Sequence, residues 1–199
     1  MTVGSLRGSF DPGRHRFLLS GLRVAVPEVL GMKVLVVAAS KHGATDEIAA
    51  SIGECLSERG YELAVSTVEQ VDSIRQYDAV IVGSAVYAGH WLKPAMDLIA
   101  DNAAALSSLP VWLFSSGPVG DPPRPATDPV DVEELMTMIG ARGHRLFAGK
   151  IDKSKLGFAE KAIVAALRVP YGDYRDWTQI KQWALEIADE LARLAPSPR

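Results

Sequence analysis

Lys33–Ala39, KVLVVAA, is an almost unbroken apolar run of strand length, and it constrains the fold more than any other feature of the chain. A strand that is apolar at nearly every position has no solvent face, so helices cover it on both sides, which points to a parallel sheet. Residues 79–83 (AVIVG) and 111–115 (VWLFS) repeat the pattern, and Glu62–Thr67 and 145–148 add two shorter strands. Between them, 45–59 sets Ile48, Ala49, Ile52, Cys55 and Leu56 at helical spacing before Gly60, 91–102 predicts a helix opened by Pro94, and 131–141 predicts a third. Five strands alternating with helices predict an α/β domain with right-handed crossovers. Asp176 caps a last helix, with Gln179 placed for a capping box and Trp177, Ile180, Trp183, Ala184, Ile187 and Leu191 as its apolar stripe.

Composition narrows the partners. The 199 residues suit one domain, at 48% hydrophobic and 23% charged, and the formal net charge of −3 offers no basic footprint for nucleic acid. Cys55 is the sole cysteine of this sequence, so no intramolecular disulfide forms, and a cytoplasmic location is expected. The four histidines are too scattered to suggest a metal site. No apolar run approaches the roughly 18 residues of a membrane span. Residues 1–31 are rich in Gly and Arg without periodicity, and Gly21 and Arg23 interrupt the one apolar stretch. They predict a disordered extension ahead of a domain spanning 32–195.

The segment 150–175 is inserted between the last strand and the last helix. Within it, 156–169 (LGFAEKAIVAALRV) predicts a helix apolar around much of its circumference, ended by Pro170. Lys150, Lys153, Lys155, Lys161 and Arg168 outnumber Asp152 and Glu160, a net +3 over 150–168. Such a segment either packs on the sheet as a core helix or forms a basic, apolar flap suited to an anionic or quinone substrate near a membrane surface.

Ligands of open parallel sheets bind beyond the carboxyl ends of the strands, and three loops lie there. In the first, Ser40, Lys41, His42, Gly43, Ala44 and Thr45 join a buried strand directly to a helix, so amides and hydroxyls can cradle an anion at the positive helix end. The loop lacks both the GxxxxGK[ST] lysine and GxGxxG, which favours a monophosphate over a triphosphate or a dinucleotide. Equally, it reads as an ordinary turn with Thr45 as N-cap. The second, 83–90, sets small residues Ser84, Ala85 and Gly89 around Val86, Tyr87 and His90. Backbone amides there can reach the polar edge of a flat heterocycle while Tyr87 stacks on its face, or Tyr87 is simply a half-buried surface aromatic. The third, with Ser115, Ser116 and Gly117, supplies amides to the same edge or forms a plain turn.

The three loops together resemble the flavodoxin superfamily, in which a T/S-x-T-G-x-T loop binds FMN phosphate and two later loops enclose the ring. The resemblance covers 32–194 and implies a flavodoxin-like three-layer sandwich with a five-stranded parallel sheet in the order 2-1-3-4-5, and FMN as cofactor. SKHGAT departs from the pattern at His42, which either donates to the phosphate in place of a threonine or points to solvent. YDAVIVGSAVYAGHWLKPAMDLI, the long insertion and Asp176-Trp177 look most like menaquinone-dependent protoporphyrinogen oxidases. That likeness implies electrons passing from a porphyrinogen through FMN to a quinone, with peripheral membrane association through 150–175 at the inner face. His90 is the one candidate for proton transfer, against a role in shaping its loop. The alternatives are an electron carrier without its own substrate, an NAD(P)H-dependent quinone or azo reductase, and a scaffold that has lost its flavin.

Overall fold

A computed structural model describes residues 31–120 and 127–194. The extension anticipated over 1–31 lies outside them except for Gly31. In chain order the elements are β1 (Lys33–Ala39), α1 (Ala44–Glu58), β2 (Glu62–Thr67), β3 (Ala79–Tyr87), β4 (His90–Trp91), α2 (Lys93–Asp101), α3 (Ala103–Leu106), β5 (Val111–Ser116), α4 (Val132–Ile139), β6 (Gly143–Phe147), β7 (Lys150–Ile151), α5 (Phe158–Leu167), β8 (Gly172–Asp173) and α6 (Trp177–Leu194).

The five long strands run parallel in the order β2-β1-β3-β5-β6, which is the 2-1-3-4-5 expectation once the two-residue β4 is set aside. The apolar run of β1 divides by its period of two. Val34, Val36 and Ala38 join one core with Ile48 and Ile52 of α1 and Ile180, Trp183 and Ile187 of α6. Leu35, Val37 and Ala39 join a second with Ala95 and Ile99 of α2 and Leu135 and Ile139 of α4. This two-sided burial is why β1 has no polar alternation. Burying each such Val, Ile or Leu stabilises the fold by about 1.5–3 kcal/mol. Phe114, Phe147 and Trp183 close the first core as an aromatic triangle with centroids 5.6–6.2 Å apart. Because α1 and α6 cover one face and α2 and α4 the other, the connections change sides beside β1 and β3, and a crevice opens at their carboxyl ends.

Three local expectations are corrected. The third strand continues to Tyr87 instead of ending at 83, so much of the anticipated second loop is sheet. Ala88 (φ 50) and Gly89 (φ 84), both in the left-handed region, then turn the chain into β4, antiparallel to β3. Trp177, expected in the buried stripe of α6, is 36% exposed with the Arg175 guanidinium 4.4 Å from its ring. The helix in the insertion does form, at Phe158–Leu167, but no residue of it with a described side chain is buried, and Phe158 is 92% exposed. It is a flap tethered beside the sheet and not a core helix. The antiparallel pair β7–β8 ties its two ends together.

Candidate functional site

The loop between β1 and α1 is organised by one hydroxyl. Ser40 Oγ accepts from the amides of Gly43 (3.0 Å) and Thr45 (3.3 Å). That bends the chain so that Gly43 takes φ 86 at the helix N-terminus, a conformation natural only to glycine. Among the described residues the amides of Lys41, His42 and Ala44 find no protein partner. Unpaired donors at the positive end of a 15-residue helix are the chemistry of an anion seat. Asp176, as expected, caps α6 by accepting from Thr178 and Gln179.

The loop opens into a cleft of about 360 Å³, within the size range of small-ligand sites. Ser40, Lys41, His42, Ala44 and Thr45 form one wall, Ala85, Val86, Tyr87 and Ala88 a second, and Ser116, Gly117 and Val119 a third. The fourth comes from Gly149 and from the insertion, with Lys150, Ile151, Leu156, Glu160, Ile163 and Val164. The structure therefore brings together residues from all three loops. These fourth-wall residues were not foreseen as part of the site, although the net charge and apolar pattern of 150–168 had marked the segment.

Several anticipated residues sit off the walls. Ser84 is buried beneath them, its hydroxyl donating to the Ala85 carbonyl and accepting from the Leu92 amide. Ser115 is likewise buried, accepting from Trp91 Nε1 at 2.7 Å and lying 2.8 Å from His144 Nε2. Gly89 occupies the tight turn. His90, the proton-transfer candidate, is on the outer side of β4 with its side chain 57% exposed and Nδ1 3.1 Å from Asp131 Oδ1. Asp131 also accepts from the Trp91 amide. In this geometry His90 shapes the hairpin and faces nothing in the cleft. The Gly117 amide donates to the Phe147 carbonyl.

Glu160 dominates the electrostatics. Its Oε1 lies 2.6 Å from Lys41 Nζ and 3.0 Å from His42 Nε2, while Oε2 accepts from the Gly157 amide. Hydrogen bonds from Lys41, then Gly157 and His42, hold its pKa at about 2. His42 thus does not point to solvent; its ring faces the Glu160 carboxylate. Lys41 Nζ also stands 5.0 Å above the Tyr87 ring. Burial, followed by the nearby Glu160 charge, pushes the Tyr87 hydroxyl above its ordinary pKa. Behind the loop, Arg175 is a further residue the sequence did not single out. Its side chain is 2% exposed, and it donates to Asp173, Glu47 and the Ala44 carbonyl. Among the described residues no group of three or more His, Cys, Asp or Glu is placed to hold a metal ion, and no helix is long and apolar enough to cross a membrane.

A flavodoxin-domain family model matches residues 35–177. Protoporphyrinogen IX dehydrogenase [quinone] from Escherichia coli (strain K12) is 22% identical over 172 residues, covering 79% of this chain and 95% of that protein. A flavodoxin from the domain Archaea superposes with a TM-score of 0.57 at 19% identity, over 80% of this chain and 99% of the other. A mutant flavodoxin from Pseudomonas aeruginosa does so at 0.56 and 18%, with coverages of 80% and 99%. The match over 35–177, on a sheet of order β2-β1-β3-β5-β6 with its cleft at the β1/β3 switch point, shows that the chain belongs to the flavodoxin-domain family.

Proposed function

We propose that the cleft binds FMN and that the protein is an oxidoreductase passing electrons from a porphyrinogen-type donor to a quinone. The observation that carries this is the convergence of an unpaired-amide anion seat, the Tyr87 ring and an apolar wall from the insertion on one cleft. The residues present fit the cofactor. The loop 40–45 offers amides and hydroxyls to a phosphate, Ala85 and Val86 form the wall beside which the ring would lie, and Tyr87 offers a stacking face. Once bound, the flavin supplies reversible electron and hydride transfer.

The choice of donor and acceptor rests on the likeness to the E. coli protein and on the flap. Ile151, Leu156, Ile163 and Val164 make a chamber suited to an apolar substrate, with Lys41 and Lys150 at its edge for a carboxylate. Outside the cleft, Phe158 is 92% exposed on a segment that also carries the exposed Lys153, a pattern suited to the surface of an anionic membrane at the cytoplasmic face, where quinones reside.

Fluorescence titration with FMN, followed by stopped-flow mixing of the loaded protein with a porphyrinogen, a menaquinone analogue or NADPH, tests the reading. Reduction by the porphyrinogen and reoxidation by the quinone are expected. Reduction by NADPH alone would make the protein a nicotinamide-dependent reductase, and no turnover with any of them would make it a carrier. A protein that ignores FMN overturns the assignment of the cleft. Separately, Phe158→Asp should reduce co-sedimentation with vesicles containing phosphatidylglycerol and leave FMN titration unchanged.

A further inference from the structure

The carboxylate of Glu160 sits at the mouth of an anion seat. It reaches there from α5, a helix none of whose described side chains is buried and whose ties to the loop are polar. Glu160 Oε1 takes Lys41 Nζ and His42 Nε2, and the neighbouring Lys155 Nζ donates to the His42 carbonyl at 2.9 Å. Lys41, in turn, is held over the face of Tyr87. One acidic side chain therefore pairs with Lys41, holds the His42 ring and positions Lys41 over the aromatic face offered to a ring.

We propose that Glu160 is an internal counter-anion for the loop 40–45, a latch that an incoming phosphate displaces, so that loading the cleft releases α5 from Lys41 and His42. The proposal rests on the FMN reading above. Two anions cannot share Lys41 and His42 at contact distance without mutual repulsion, and the phosphate carries the larger charge together with access to amides that Glu160 does not use. Because the carboxyl stays ionised at every physiological pH, acidification does not open the latch; a competing anion does. The same walls that close on the loop carry Leu156, Ile163 and Val164, so release of α5 at the phosphate end also loosens the apolar chamber. The order of events is cofactor first, substrate second.

The latch makes phosphorylated and unphosphorylated flavin respond differently to one substitution. Glu160→Gln keeps an oxygen for the Gly157 amide and removes the charge. FMN affinity should rise about three- to tenfold in this variant, the gain shrinking at high salt, whereas riboflavin, which brings no anion, should bind within about twofold of the unaltered protein. Glu160→Asp should not reproduce the gain. Equal gains for FMN and riboflavin, or none for FMN, would overturn the latch while leaving the FMN reading intact. Failure of the unaltered protein to bind FMN would overturn both. Independently of any variant, a structure of the unaltered chain with FMN should show Glu160 withdrawn from Lys41, and retention of the 2.6 Å contact would sink the proposal.

Discussion

Arg175 Nη1 donates to the carbonyl of Ala44 at 3.0 Å, so a buried guanidinium from the segment before α6 grips the first residue of α1, directly behind the anion seat. The same group donates to Glu47 Oε2 at 2.7 Å and Asp173 Oδ2 at 2.6 Å. It thereby joins the helix start, the insertion's ribbon and α6. A guanidinium is required here because its fork serves three acceptors in one plane.

Arg175→Met is expected to destabilise the fold by about 1–3 kcal/mol, less than for a wholly buried pair because both carboxylates are partly exposed. Hydrogen bonds from Arg175 hold the Glu47 and Asp173 carboxyls below their usual range. Their stabilisation is fully present above the unfolded-state values near about 4 and is lost as the pH falls through the lower folded-state values. Urea unfolding between about pH 3 and 6 should show that acid loss in the unaltered protein and a flatter profile in Arg175→Met. Parallel profiles would mean that the carboxylates draw their stabilisation from elsewhere.

A second pH dependence belongs to His144. His144 Nδ1 faces Asp128 Oδ1 at 3.3 Å, an acceptor that places the proton of the neutral ring on Nδ1 and leaves Nε2 to accept from Ser115 Oγ, which itself accepts from Trp91 Nε1. Burial lowers the pKa of the ring below its ordinary value, against the opposing pull of Asp128. Below about pH 6.5 the unfolded chain takes up a proton that the folded chain resists, so stability falls with pH down to the folded pKa. His144→Gln can still accept from Ser115 but cannot titrate. Unfolding measured from about pH 5 to 7 should lose its slope in that variant, and ring-proton NMR should give a midpoint below that of free histidine in the unaltered chain.

The architecture was legible in the sequence because β1, β3 and β5 are covered on both faces, and two-sided burial leaves an unambiguous apolar run. The site was legible only to the level of the loop. At the end of β5, Ser115 and Ser116 point to opposite faces, so one hydroxyl enters the Trp91–His144 network and its neighbour lines the cleft. Composition cannot distinguish them, since that requires the register. The sequence left His90 between two roles for a related reason: the turn at Ala88 and Gly89 continues the sheet by one short strand, and a positive φ at alanine carries no sequence signal. Arg175 and Glu160 escaped because each acts across more than a hundred residues of chain, on Ala44 and Lys41 respectively.

Gly83 tests the packing that holds the floor of the cleft. A Cβ there would lie 2.0 Å from Phe114 Cζ and within 2.5 Å of two further ring atoms. Phe114 is locked against Phe147 and Trp183 and cannot swing aside. Gly83→Ala is expected to cost at least about 1–3 kcal/mol, the range for an overpacked core, and to lower the midpoint of thermal unfolding accordingly. A midpoint equal to that of the unaltered chain would show that the aromatic triangle yields more readily than its packing indicates.

Gly43 tests the seat itself. At φ 86 and ψ −7 an alanine carries about 1–2 kcal/mol of backbone strain, and its Cβ would meet Lys155 Nζ at 3.4 Å, ordinary contact with the movable end of a long side chain. Strain is therefore the main penalty, and the chain relieves it by rotating the loop away from the left-handed region. That rotation pulls the Gly43 and Thr45 amides off Ser40 Oγ and scatters the donors at the start of α1. Gly43→Ala should lower global stability by no more than the strain, yet weaken FMN about tenfold or more, because a dianion held by several aligned amides loses them together. Riboflavin, lacking the phosphate, should lose much less. FMN and riboflavin titrations of the variant, read beside its thermal midpoint, separate the two effects: equal weakening of both flavins would mean that the ring, and not the phosphate, occupies the space beside this loop.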